Sequence, residues 1–142
     1  MCRLARLAMA AALAGAVFSM GTPVRAQGEE ARPLIIGTNR VFIIRTGDTL
    51  NGRQMSIQER INHVQDIFPK YLGGKAGKIT WKKWGDRVHL YLNGEFVLAV
   101  TPADAAATGY KTADQLVPIW ADKLQRGFDL AHVWVVGSEK QQ

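Results

Sequence analysis

The chain has a single cysteine, and it is the second residue, Cys2. No disulfide can form within the chain, and no thiolate metal site of the usual several-cysteine kind can be built. Histidine is nearly as scarce: His63, His89 and His132 are the whole set. None has a histidine or cysteine at ligand spacing, so a metal site would need carboxylates gathered from distant positions. No metal and no cofactor is expected. Asp86 and His89 lie close in sequence, but no serine or cysteine stands near them to act as a nucleophile. Asp104 and Asp114 fit the negative charges favoured at helix N-termini better than an acid/base pair. The expectation is a protein that is not an enzyme, with no catalytic residue to name. Long apolar runs are lacking too: the longest, Leu7 to Met20, holds 14 residues, short of the ~20 that a membrane-spanning helix requires. Internal repeats are absent.

What is present begins with an export pattern. Arg3 and Arg6 precede that apolar run, and Val24-Arg25-Ala26 follows it as a small-residue cleavage site. This is the layout of a secretory signal peptide, expected to span residues 1–26, to be cut near Ala26, and to send the protein to the periplasm or outside the cell. A retained anchor is the alternative. Cys2 stands before the run and so is not the lipid-modified cysteine of a lipoprotein signal. Cleavage would leave 116 of the 142 residues, with 15 basic residues (18 less Arg3, Arg6 and Arg25) against 12 acidic ones. That length suits one domain with a modest core, held by packing alone. The expected organisation is a polar tail over 27–32, one domain over 33–136 and a second polar tail over 137–142.

Along the domain, PLIIGTNRVFIIRTG from Pro33 reads as two short strands around Gly37-Thr38-Asn39. Val41 to Ile44 is apolar throughout, which predicts a strand covered on both faces. DTLNGRQM follows as a turn-rich connection. Ser56-Ile57-Gln58-Glu59 fits a helix capping box, and Ile57, Ile61, Val64 and Phe68 make one apolar stripe. Pro69 and Gly73-Gly74 end that helix. Thr101-Pro102 opens a short helix stopped by Gly109, and Thr112 to Gln115 fits another capping box. The stripe of this last helix is Leu116, Ile119/Trp120, Leu124 and Phe128. Pro118 implies a kink or a later start, and Leu130 to Val136 reads as either a strand or a helix extension.

Between the helices lies GGKAGKITWKKWGD, Gly73 to Asp86. Its glycines and lysines suggest a phosphate loop, but a helix precedes them and a strand follows, the reverse of the required order. The spacing also fails, since Leu72 stands where a glycine is needed and Ile79 where a hydroxyl is needed. The stretch instead opens a three-stranded meander, KITWKKW, RVHLYL and FVLAVT. Gly85 suits a type II′ turn and Asn93-Gly94 is a strong hairpin signal. Two-residue loops fix the expected register: Lys83 opposite Val88, Trp81 opposite Leu90, Leu92 opposite Glu95, Leu90 opposite Val97 and Val88 opposite Ala99. One face then gathers Ile79, Trp81, Val88, Leu90, Leu92, Val97 and Ala99 as core. The other gathers Thr80, Lys82, Trp84, Arg87, His89, Tyr91, Phe96, Leu98 and Val100. Two readings of that second face stand open. A helix or the N-terminal strands cover its apolar half, with the cations at the margin, or part of it is an exposed patch for a partner. The candidate partner or ligand surface is Lys82, Trp84, Arg87, His89, Tyr91 and Phe96. Trp81 and Trp84 point to opposite faces, so WKKW is not a nucleic-acid grip, and no nucleic-acid partner is expected.

VFIIR, SIQERI, VHLYLNGEFVLAVTPADAAATG and LVPIWADKLQRGF together resemble the extracytoplasmic N-terminal domain that precedes the pore in some bacterial small-conductance mechanosensitive channels. The resemblance covers about Pro33–Phe128. Its sharpest parts are the strands around Asn93-Gly94 running into Thr101-Pro102-x-Asp104, and Trp120. It implies a stand-alone envelope-side module without pore helices, regulatory in kind, and it carries over no catalytic residue. The expected fold is α+β, a small antiparallel sheet of about five strands (the meander plus N-terminal strands) packed against two to three helices. The expected function is a non-catalytic periplasmic module that binds another envelope protein. The alternative is a small-ligand or polysaccharide binder, with a carbohydrate or an anionic ligand on the basic-aromatic face.

Overall fold

A computed structural model describes residues 29–74 and 76–139, with side chains to Val133. The expected signal peptide lies outside the described residues. The fold is α+β. A hairpin of β1 (Arg32–Ile36) and β2 (Asn39–Ile44) is followed by a small hairpin of β3 (Asp48–Leu50) and β4 (Arg53–Met55). Helices α1 (Ile57–Ile67) and α2 (Pro69–Leu72) lead to the meander of β5 (Ile79–Trp84), β6 (Arg87–Leu92) and β7 (Glu95–Val100), then to α3 (Pro102–Ala107) and α4 (Ala113–Glu139). The strands form three separate antiparallel sheets of two, two and three strands rather than one sheet of five. Among the described residues no helix is long and apolar enough to cross a membrane.

Local chemistry accounts for most of the boundaries. Ser56 accepts from the Glu59 amide and Glu59 reaches back to the Ser56 amide, so α1 starts on a complete capping box. Thr101 and Asp104 make another at α3. At α4 the expected box is not formed: Gln115 Oε1 accepts from the Lys111 amide, one residue earlier than Thr112. Pro118 lies within the first turns of α4, and the helix continues through Leu130 to Glu139, so this end is helix and not strand. The C-terminal tail expected from residue 137 thus begins inside α4. The N-terminal tail also takes part in the fold, because β1 starts at Arg32 and Glu29 Oε2 accepts from the Ile57 amide at 2.7 Å. The connection after Gly47 is itself a hairpin, turned by Asn51 and Gly52 at positive φ.

The core lies where α4 crosses β2, β5 and β6 and where α1 packs on β7 and β1. Phe68 and Phe128 meet at its centre with ring centroids 5.2 Å apart. Two glycines permit the close approach of α4. A Cβ on Gly127 would come within 2.9 Å of Val41, and one on Gly77 within 2.9 Å of the Phe128 ring. The strand Val41 to Ile44 is buried at Phe42 and Ile44 but only half-buried at Val41 and Ile43, so it is fully covered on one face and partly on the other.

The β5–β6 register is as expected, but the β6–β7 register is not. Leu90 pairs with Leu98 and Val88 with Val100, after a shift between Leu90 and Tyr91 that leaves Val97 without a partner. One extra residue in β7 is a β-bulge, and it reverses the facing of every residue beyond it. Leu98 and Val100, expected on the second face, therefore turn into the core beside Leu90 and Val88, while Ala99 comes opposite His89. Trp81, expected in the core, is 50% exposed because β5 is an edge strand.

Candidate functional site

The bulge turns Leu98 and Val100 away from the second face and leaves an aromatic cluster there. Every residue of β5 after Ile79 is exposed. Trp84, 54% exposed, lies over His89 with centroids 5.5 Å apart and planes 20° from parallel. Phe96 meets the His89 ring edge-on at 5.0 Å and the Tyr91 ring edge-on at 6.2 Å. The Trp84 indole N–H donates to the Tyr91 hydroxyl at 3.3 Å, and Lys82 Nζ stands 5.9 Å from the Trp84 ring centre. Arg87 lies opposite Trp84 across the turn, so all six candidate residues are brought together. Lys82 and Trp84 are open to solvent, while Arg87, His89, Tyr91 and Phe96 are half-buried.

The face is covered in part and exposed in part. Its β7 margin is covered: α1 lies along it, with His63 Nε2 3.3 Å from the Phe96 carbonyl and the His63 ring 5.6 Å from the Phe96 ring. The β3–β4 hairpin closes the Arg87 end. Arg87 Nη1 donates to Asp48 Oδ1 at 2.8 Å and to the Thr49 carbonyl at 2.9 Å. The β5–β6 part remains open.

The face is less cationic than its composition implies. Asp48 neutralises Arg87, and burial followed by the nearby Arg87 charge holds the His89 pKa below its ordinary 6.5, against a smaller opposing effect of Asp48. Lys82 is the charge left unpaired there among the described residues. His89 Nε2 is buried and has no hydrogen-bond partner among the described residues, so protonating the ring places a charge where none of them solvates it. Because the folded value lies below the unfolded one, the unfolded chain takes up the proton first as pH falls. The contribution of His89 to stability is therefore full above the ordinary histidine range and is lost as pH falls through the folded value. Urea titrations at about pH 5 and about pH 8 should show a smaller loss of stability on acidification in His89→Gln than in the unaltered chain. An equal loss in both would remove His89 from this role.

A second concave feature escaped the sequence reading. A groove of about 420 Å³ runs between β2 and the first half of α4, lined by Arg40, Arg45 and Lys123 with Tyr110 and Ile119. No acidic residue lines it, and none of the three cations pairs with an acid among the described residues. The flanking of VFII by Arg40 and Arg45 was a visible signal, but nothing local places Lys123 beside them. The largest buried polar constellation is structural. Arg60 and Asp104, 2% and 1% exposed, form a two-pronged ion pair at 2.9 and 2.8 Å between α1 and α3. His132 Nδ1 lies 2.8 Å from the Leu72 carbonyl. The three histidines are not assembled into one site, and no metal-holding cluster of histidine, cysteine and carboxylate is found among the described residues.

Compared with protein-family models, curated proteins and solved structures, the chain matches none.

Proposed function

We propose that this chain is a non-catalytic module of the cell envelope that binds another envelope protein through the open β5–β6 face. The observation that carries the reading is Trp84, more than half exposed on a platform of His89, Tyr91 and Phe96. Tryptophan dominates binding energy at protein interfaces, and its rigid backing lowers the ordering cost of docking. The leader-like N-terminus supports export, and the resemblance to an extracytoplasmic channel domain supports a regulatory role there.

The test is crosslinking in the producing cells, followed by affinity measurement on the partner it identifies. Trp84→Ala with Lys82→Ala is expected to weaken that partner's binding at least about 30-fold, the effect of losing a hot spot worth ~2 kcal/mol. The thermal melt should barely move, since both side chains are exposed. Undiminished binding by the double variant would sink the reading.

The groove favours a second reading, a binder of small organic anions. Its volume falls within the range of small-molecule sites, and its cations have no acidic counterpart in the lining. Failure to crosslink any partner, with the protein free in the soluble fraction, would favour this reading over the first.

A further inference from the structure

The strand that carries Lys82 and Trp84 is also an open edge, and hydrogen-bond parity shows which of its backbone groups are free. In an antiparallel pair, opposed residues alternate between exchanging both backbone hydrogen bonds and exchanging none. The two-residue turn at Gly85-Asp86 makes Trp84 and Arg87 a bonded pair. Lys82 with His89 and Thr80 with Tyr91 are then bonded too, and the Asn93 amide donating to the Lys78 carbonyl at 3.1 Å continues the same series. Ile79, Trp81 and Lys83 fall between, so their amides and carbonyls point away from β6. At Ile79 the fold supplies a partner, Gln125 Oε1 at 2.8 Å. At Trp81 and Lys83 no backbone or side-chain acceptor among the described residues takes the amide.

We infer that β5 accepts an extended acidic segment of a partner protein as a fourth strand of the meander, bonded to the backbone of Trp81 and Lys83. The inference rests on the binding role proposed above and names its mode. Side chains on the two faces of the edge fit this occupant. Trp81 and Trp84 are both at least half exposed and lie on opposite faces of β5, so apolar side chains of an added strand find an indole on either side. The charge selects the class. Lys78, Lys82 and Lys83 sit along this edge, with Asp114 engaging Lys83 at 2.7 Å and no acid pairing Lys78 or Lys82 among the described residues. A second copy of the chain would double that cluster of cations, whereas an acidic strand neutralises it. Lysine on an edge strand discourages indiscriminate pairing, and here it leaves acidic partners favoured.

The probe is a short synthetic peptide in which valine and glutamate alternate, titrated into the full chain and followed by amide hydrogen exchange. Saturable binding is expected, with new protection at the Trp81 and Lys83 amides and no change at Thr80 and Lys82, whose amides already face β6. The matching valine–lysine peptide should not bind. Proline is tolerated on an edge strand where the N–H faces outward, so Lys83→Pro should keep the melt and the β5–β6 protection while weakening the peptide at least about tenfold. Lys83→Ala, which keeps the amide, should cost at most about fivefold, the worth of an exposed charge contact. No binding of the acidic peptide, equal binding of the basic one, or binding without protection at Trp81 and Lys83 would each overturn strand addition. Should Lys83→Pro unfold, the exchange pattern of the unaltered chain decides alone. A crosslinked partner lost with Trp84→Ala and Lys82→Ala but kept in Lys83→Pro would leave the face as the binding surface and refute the strand mode.

Discussion

Replacing Asp104 by alanine is expected to destabilise the fold by about 3–5 kcal/mol, the cost of leaving a buried charge without its partner. The carboxylate accepts from Arg60 Nη1 and Nη2, from the Thr46 hydroxyl at 2.7 Å, and from both the amide and the hydroxyl of Thr101 at 2.9 Å. The Arg60 guanidinium also donates to the carbonyls of Thr46 and Ala99 at 2.6 and 2.7 Å. One ion pair therefore joins α1, the segment before β3, the end of β7 and the start of α3. Removing the carboxylate leaves the cation in place with carbonyls alone and opens the α3 cap, which by itself is worth ~1 kcal/mol. A domain of this size has only about 5–15 kcal/mol to lose, so the urea midpoint should fall steeply. Replacing both residues, Arg60→Met with Asp104→Leu, should cost clearly less than the sum of the single changes, since no unpaired charge remains. A loss below about 1 kcal/mol in Asp104→Ala would mean that water reaches Arg60 and that the pair is not the clamp its burial implies.

Trp120→Ala should cost a similar amount, about 3–5 kcal/mol, but the damage should be distributed differently. Trp120 is 3% exposed and stacks on Phe42 with centroids 4.2 Å apart and planes within 13°. This contact joins α4 to β2, and Gly127, about two turns further along the same helix, lets it close on Val41. The meander meets α4 through other residues, among them Gln125 at Ile79 and Phe128 against Gly77. Without the indole, the β1–β2 hairpin loses its main anchor while β5 to β7 keep theirs. Native-state hydrogen exchange should therefore show β1 and β2 opening at lower free energy than the meander, as a separate local unit. Uniform loss of protection over all strands would contradict that division.

Much of this architecture was legible because it is written in short-range chemistry. The capping box at Ser56, the proline-led helix start after Thr101, the turn at Asn93-Gly94 and the stripe Ile57–Ile61–Val64–Phe68 each depend on residues a few positions apart. They are found where the spacing put them. The candidate surface was legible for the same reason, since alternation along β5 and β6 needs only the two-residue turn between them. The small hairpin at Asn51-Gly52 carried the same turn signal in strands too short to show alternation.

What the sequence by itself determined, then, is the α+β class, the order of the main helices and of the meander strands, the turns between those strands and the aromatic content of one sheet face. Tertiary structure decided, among other things, the bulge at Val97, the burial of Arg60, the exposure of Trp81 and the groove joining Arg40 and Arg45 to Lys123. The physical reason is common to all of them. A bulge is fixed by which side chains the core can accommodate, and a buried arginine by a carboxylate 44 residues away. The exposure of an edge residue depends on whether another strand follows, and a groove on how a helix crosses a hairpin. Each is a free energy of long-range packing, to which a residue's sequence neighbours contribute little.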